Sequence, residues 1–175
     1  MTRVRFAGFG GQGVVLSGFI LGRAACLHAG KNAAMTQNYG PESRGGACSA
    51  DVVVEDGEIA VPVFEQPDIL VLLSQEAASK NASWIAGSKI VLIDEDLVQI
   101  EGEDGRILKA PFTRMATSLG RRIVANIVML GCLTARSGIV PPGSMEEAIR
   151  TSVPAKTIDL NLKAFRAGLA IPVAT

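Results

Sequence analysis

The chain has 175 residues, 48% of them hydrophobic and 19% charged, and its 17 basic and 17 acidic side chains cancel to a net charge of zero. That length suits one domain, residues 1–175, with a full core. Zero net charge, no basic stripe and only 5% aromatic residues argue against a nucleic-acid ligand, an acidic lipid surface or a platform for stacking bases. A mean hydropathy of +0.31 is high for a soluble domain of this size and points to apolar surface that partners cover, rather than to a core that is large for the length.

Cys26, Cys48 and Cys132 lie far apart and form no CxxC pair. The chain alone is therefore expected to hold no iron–sulfur cluster or structural zinc, and each cysteine reads as a small buried hydrophobe. Their odd number suits a reducing cytoplasm. Arg3 and Arg5 precede an apolar stretch, as in a secretory signal. However, five of the six residues from Gly8 to Gly13 are Gly or Gln, which breaks the helix a signal needs. No apolar run approaches the ~18 residues of a membrane span. A cytoplasmic protein without membrane contact is expected.

Val4 to Ala7 reads as a short strand, followed at once by a glycine turn and a helix from Gly13 to about Ala29, with Gly30 at its C-terminal cap. Ala33 to Thr36 reads as a second strand and Gln37 to Gly46 as a polar loop. Ala47 to Val54 is a strand, and the Asp56-Gly57 turn predicts an antiparallel return over Ile59 to Phe64, with Pro62 demanding an edge. Ile69 to Leu73 and Lys89 to Ile93 are apolar runs typical of strands buried on both faces, separated by a helix over about Gln75 to Ala82. A short strand over Ile107 to Ala110 and helices over Thr113 to Gly120 and Arg122 to Ala135 follow. Ser144 is the expected cap of a helix running to about Ser152, and a last helix covers Asp159 to Ala167 and stops at Gly168. The alternation predicts an α/β fold: a Rossmann-like, largely parallel sheet flanked by helices, with one antiparallel β-hairpin.

Gly8-x-Gly10-x-x-Gly13 matches the dinucleotide-binding fingerprint in spacing and in its strand–turn–helix setting. Glycines permit a tight turn and close backbone approach, and the helix N-terminus offers unpaired N–H groups to an anion. The acidic residue expected about 20 positions on, to hold a ribose, is missing, because Lys31 to Gln37 stands there. The first acid after Gly13 is Glu42, so nicotinamide dinucleotide is not the expected ligand. No Lys-Ser/Thr pair makes a Walker loop. Two roles stay open for Gly8, Gly10, Gly11, Gln12 and Gly13: packing strand against helix, or facing a phosphate or cofactor.

The loop Gln37-Asn38-Tyr39-Gly40-Pro41-Glu42-Ser43-Arg44-Gly45-Gly46 contains the one Tyr of the chain and an acid–base pair two residues apart. It is either solvated or, given its density of hydrogen-bonding groups, a contact surface. Arg44 can fork onto a carboxylate or phosphate or pair with Glu42. Ser74 reads as a helix cap, Asp94-Glu95-Asp96 as a solvated turn rather than a metal site, and Asn126 as an amide that satisfies either a neighbouring backbone group or the glycine turn.

With these two motifs in this order, the chain resembles the gamma subunit of the 2-oxoacid:ferredoxin oxidoreductases. The family's glycine turn is matched by Gly8 to Gly13 and its Tyr-Gly-Pro-Glu-x-Arg-Gly-Gly segment by Tyr39 to Gly46. Ala50 to Val54, Asp68 to Val71, the helix around Asn126 and Asn161 to Gly168 also look like family positions, so the resemblance covers nearly the whole chain. The wording from Asn38 to Ala47 is most similar to the 2-oxoglutarate type.

The resemblance implies a subunit, inactive alone, of an enzyme that converts a 2-oxoacid and coenzyme A to acyl-CoA, carbon dioxide and reduced ferredoxin. It implies thiamine diphosphate, Mg²⁺ and iron–sulfur clusters on alpha, beta and delta-type partner subunits, with coenzyme A as a ligand shared with this chain. The residues it marks for a binding role are Gly8, Gly10, Gly11, Gln12, Gly13, Tyr39, Glu42, Arg44 and Gly45. No catalytic residue is assigned: His28, the only His, falls in a helix. A homodimer of the isolated chain is expected, since its partner surface needs cover. The competing readings are a free-standing Rossmann-like protein that binds a nucleotide or acyl-CoA, and a purely structural interaction subunit.

Overall fold

The computed structural model describes residues 1–40, 46–102 and 104–172. β1 (Thr2–Phe9) turns Val4 and Phe6 into the core and leads through the glycine turn into α1 (Val14–Arg23). α1 continues as one π-helical turn over Ala24–His28, and Gly30, at φ 65°, redirects the chain. β2 (Asn32–Tyr39) and β3 (Ala47–Glu55) then form an antiparallel hairpin. β2 runs three residues beyond the expected end at Thr36, so Gln37, Asn38 and Tyr39 are strand rather than loop.

β3 also pairs antiparallel with β1, with Thr2 opposite Val54 and Phe9 opposite Ala47. This overturns the expected return strand over Ile59 to Phe64, which is irregular. Both edges of β3 are already occupied, so no edge is left for it. The Asp56-Gly57 turn is pinned instead to the start of β2, through the Lys31–Asp56 ion pair and the Asn32 amide on the Gly57 carbonyl. The hairpin anticipated from the sequence exists, but β2 and β3 make it.

The second half is a run of parallel strands: β4 (Ile69–Leu72), β5 (Ile90–Asp94) and β6 (Ile107–Ala110). The sheet order is β2-β3-β1-β4-β5-β6, in which β3 alone is reversed. β4 is buried along its whole length, as a continuous apolar run requires. Short α2 (Gln75–Lys80) and α3 (Ala82–Ile85) follow β4, and the Ser74 hydroxyl accepts the Ala77 N–H at 3.1 Å as the expected cap.

α4 (Phe112–Ser118), α5 (Ala125–Ser137), α6 (Pro142–Arg150) and α7 (Ile158–Leu169) complete the chain. The larger core joins α1, α4, α5, α6 and α7 to the sheet face carrying Phe6, Val52 and Val71. A smaller core puts α2 and the side chains of α3 against Leu70, Leu72 and Ile93 on the other face.

Two expected helix ends are corrected by packing. α7 runs through Gly168, where a Cβ would lie 1.9 Å from the Val128 carbonyl oxygen; on the facing helix, a Cβ at Gly131 would lie 2.1 Å from that of Phe165. These glycines let α5 and α7 touch backbone to backbone. Ser144 is not a cap: α6 opens with Pro142 in its first turn, and the Ser144 hydroxyl donates to the His28 carbonyl at 2.9 Å. Cys48 and Cys132 are buried as expected, whereas Cys26 is exposed on the π-helical turn. No helix among the described residues is long and apolar enough to cross a membrane.

Candidate functional site: the glycine turn at the carboxyl end of the sheet

The helix after β1 lies on one face of the sheet and the helix after β4 on the other. The crevice beyond the carboxyl ends of β1 and β4 is therefore the topological switch point, where open α/β sheets take their ligands. The glycine turn fills one wall of it.

The residues of the turn play different parts. The Gln12 amide braces the crevice, its Oε1 accepting the Phe9 N–H at 2.7 Å and its Nε2 donating to the Leu73 carbonyl at 2.6 Å. A Cβ at Gly8 would sit 2.5 Å from Gln12 Oε1, so Gly8 makes room for that brace. The Gly10 N–H donates to the Gly46 carbonyl at 2.9 Å. Gly11 and Gly13 have φ of 94° and 74°, the left-handed region that suits glycine.

Gly13 is also the N-cap of α1, with no side-chain cap and no acid in the first turn. The N–H groups of Val14, Val15 and Leu16 have no carbonyl partner within the helix, by its geometry. Asn126 approaches from α5, its Nδ2 donating to the Gly13 carbonyl at 3.4 Å, which is the role read for it from the sequence. A Cβ on Gly13 would stand 2.4 Å from that nitrogen.

The bond from Gly10 to Gly46, with that from the Gly40 N–H to the Ala47 carbonyl at 2.6 Å, closes the base of the polar loop beside the glycine turn. The two motifs, some 30 residues apart in the chain, thus share one end of the sheet. Tyr39 stands at this end, 63% exposed. Glu42, Arg44 and Gly45 lie outside the described residues.

Two clefts flank the turn. One of about 410 Å³ lies over the ends of β4 and β5, between Gly11, Gln12, Asp94, Thr113, Arg122 and Asn126. The other, of about 330 Å³, lies between Gly11, Gly13, Leu16, Tyr39, Ile123 and Asn126. Ile123 and Leu16 are exposed apolar side chains at their rims.

Asp94 departs from the solvated turn expected of it. It is 1% exposed, and its carboxylate accepts the Thr113 hydroxyl at 2.6 Å, the Thr113 N–H at 3.0 Å and the Asp96 N–H at 3.2 Å. Burial pushes its carboxyl above the usual range, against those hydrogen bonds. Asp96 in turn accepts the Arg114 N–H at 2.9 Å. Together the two acids cap α4, which lacks a cap of its own. A strand ending in a buried Asp two residues before another acid, with an uncapped helix downstream, is the signal that could have marked this pair. Among the described residues no three His, Cys, Asp or Glu side chains gather as a metal site.

The family model described as pyruvate ferredoxin/flavodoxin oxidoreductase matches residues 3–171. The chain is 50% identical, over 94% of its own length and 90% of the relative's, to the 2-oxoglutarate synthase subunit KorC of Methanocaldococcus jannaschii. Among solved structures it is similar to a keto/oxoacid ferredoxin oxidoreductase gamma subunit from Geobacter sulfurreducens, with TM-score 0.83, 37% identity and 96% of each chain covered. The same fold occurs in the 2-oxoglutarate:ferredoxin oxidoreductase of Magnetococcus marinus, solved with 2-oxoglutarate, coenzyme A and succinyl-CoA. There the TM-score is 0.84 at 22% identity, and the match covers 97% of this chain but 30% of that one. The chain belongs to the pyruvate ferredoxin/flavodoxin oxidoreductase family.

Proposed function

We propose that this chain is the gamma-type subunit of a cytoplasmic 2-oxoglutarate:ferredoxin oxidoreductase. The assembly converts 2-oxoglutarate and coenzyme A to succinyl-CoA and carbon dioxide, and two oxidised ferredoxins take up the two electrons released. The observation that carries this reading is the match, along almost the full length of both chains, to a 2-oxoglutarate synthase subunit. Thiamine diphosphate, Mg²⁺ and the iron–sulfur clusters belong to alpha, beta and delta-type partners. This chain supplies a rigid wall and an anion-attracting helix end.

The residues that remain for coenzyme A are fewer than the motif suggests. The Gln12 side chain and the N–H groups of Gly10 and Gln12 are engaged within the protein. Gly11, whose missing side chain faces open space, and the first turn of α1 are left to meet a diphosphate. Tyr39 belongs to the same proposed surface, and Glu42, Arg44 and Gly45 are proposed for it on the motif alone.

Affinity purification of the chain from its native host tests the assignment. The eluate is expected to contain partner subunits and to reduce a viologen dye only with coenzyme A, with 2-oxoglutarate preferred over pyruvate, branched-chain 2-oxoacids and indolepyruvate. Preference for another 2-oxoacid overturns the substrate, and a lone inactive chain overturns the function. In that assembly Gly11→Ala is expected to raise the KM for coenzyme A about tenfold with little change in the KM for the 2-oxoacid, because its methyl group enters the open space left for the diphosphate. An unchanged KM for coenzyme A leaves the turn a purely structural element.

A further inference from the structure

The two edges of the sheet are finished differently. β6 is four residues long and carries Lys109, and a short, charged strand resists pairing with a neighbour. β2 is eight residues long and has no charge, no Pro and no Gly, and among the described residues no strand pairs with its outer side. The bond from the Gly40 N–H to the Ala47 carbonyl fixes which groups face out. In the antiparallel alternation, Asn32, Ala34, Thr36 and Asn38 spend their backbone groups on β3. Ala33, Met35, Gln37 and Tyr39 point theirs away from the sheet, where the Ala33 carbonyl accepts the Cys26 thiol at 3.9 Å.

Next to this edge, between α1 and β2, runs an apolar groove of about 320 Å³ lined by Gly18, Gly22, Arg23, Leu27, Ala33 and Met35. Phe19 and Leu27 beside it are 47% and 62% exposed. Arg23 Nε is buried there with no hydrogen-bond partner among the described residues, and its guanidinium stacks on Phe19 at 5.5 Å. Met35 lies under Gly18 and Ala33 under Gly22, so the odd-numbered side chains of β2, Tyr39 included, are on the α1 face.

We propose that this edge is an interface between two copies of the chain, paired β2 to β2 about a two-fold axis at Thr36. In that register Ala33 faces the mate's Tyr39 and Met35 faces the mate's Gln37, so all four outward residues of each copy exchange backbone hydrogen bonds, the Ala33 carbonyl using the lone pair that the Cys26 thiol leaves. No charged side chains oppose each other in the paired strands. The exposed Tyr39 ring of one copy enters the other copy's groove over Ala33, where Gly22 leaves space and Arg23 offers a cation and an unused N–H. Knob and hole lie on the same surface at matching distances from the axis, which is what an isologous contact requires. Leu16 and Phe19 of the two α1 helices meet near the axis.

The size is adequate. Eight residues make an edge about 27 Å long. With sheet and helix layers together about 20 Å deep, each copy contributes about 540 Å². The total of about 1,100 Å² clears the lower bound for a specific interface.

Sedimentation of the purified full chain reads the proposal without any activity assay. A dimer of about 37 kDa, twice the 18.3 kDa chain, is expected at micromolar concentration. Gln37→Pro removes an outward N–H and leaves the β3 ladder intact, so the folded variant is expected to dimerise at least about 100-fold more weakly, the axis presenting the lost donor twice. Register is read by mild oxidation in a Cys26→Ser background. Thr36→Cys lies on the axis and is expected to form a covalent dimer, whereas Asn32→Cys, opposite the mate's Gly40, is expected not to. A monomeric wild-type chain at 100 µM overturns the proposal, as does a dimer that tolerates Gln37→Pro or cross-links through Asn32→Cys instead.

Discussion

Replacing Gly13 by Ala tests whether the glycine turn is held by the architecture rather than by a ligand. Two independent penalties apply. At φ 74° a Cβ costs about 1–2 kcal/mol of backbone strain. The same Cβ would lie 2.4 Å from Asn126 Nδ2 and 2.6 Å from Asn126 Cγ, so the amide must leave. Its displacement costs about 1 kcal/mol for the lost bond to the Gly13 carbonyl and about 1 kcal/mol for the overpacking. The total is about 3–4 kcal/mol, a fall in Tm of about 10 °C for a domain of this size. Asn126→Ala alone should cost about 1–2 kcal/mol. In the double variant the clash vanishes and the strain remains, so the double-mutant cycle, read by urea unfolding, should show coupling of about 2 kcal/mol. Single effects that add to within about 0.5 kcal/mol, or a Gly13→Ala chain as stable as wild type, would show that Asn126 and the Gly13 backbone do not hold the turn. Gly11, with φ 94° but nothing within 4 Å of an added Cβ, is the internal control: Gly11→Ala should cost the strain term alone.

Gly168→Ala should destabilise by about 3 kcal/mol or more, because the added carbon meets the Val128 carbonyl of α5 rather than a side chain that can rotate away; thermal unfolding followed by circular dichroism measures it. Burial raises the Cys132 thiol to about 12, a nearby Arg136 notwithstanding, and raises Cys48 as well, so both should resist a thiol reagent at pH 8 until the chain is unfolded. Asp94, raised by burial, binds its proton more tightly in the folded than in the unfolded state. Its contribution is therefore full below the ordinary carboxylate range, near 3.8, and is lost as pH rises through the folded value. Urea unfolding at several pH values should show the stability difference between wild type and Asp94→Asn shifting towards the wild type as pH falls through that window, and staying flat above it.

Much of the fold was legible because the signals were local. Ile69 to Leu73 and Lys89 to Ile93 are apolar runs with one reading, and Ile107 to Ala110 coincides with β6. Gly30 marked the end of the first helix through its own φ. The failures share a cause: the deciding partner is distant in sequence. Asp56-Gly57 resembles a hairpin turn, but β1 and β2 had already taken both sides of β3. Gly168 looks like a helix stop until the Val128 carbonyl of α5 is placed against it. Asp94 reads as solvated until α4 brings Thr113 over it. At the site, the sequence identified the glycine turn and Asn126, but not that Gln12 would be spent on bracing β1 to the end of β4. Nor did it reveal that Gly10 and Gly46 would bond the two motifs together.

A chain that is a working part of a 2-oxoglutarate:ferredoxin oxidoreductase must be required for the activity of the assembled enzyme. The direct measurement is omission and add-back: the partner subunits purified without this chain, assayed for coenzyme A-dependent reduction of ferredoxin by 2-oxoglutarate, and assayed again after the purified chain is returned. Activity is expected to be absent or severely reduced without the chain and restored in proportion to the chain added, up to a fixed stoichiometry. Full activity without it, or no recovery when a folded chain is returned, would contradict the claim.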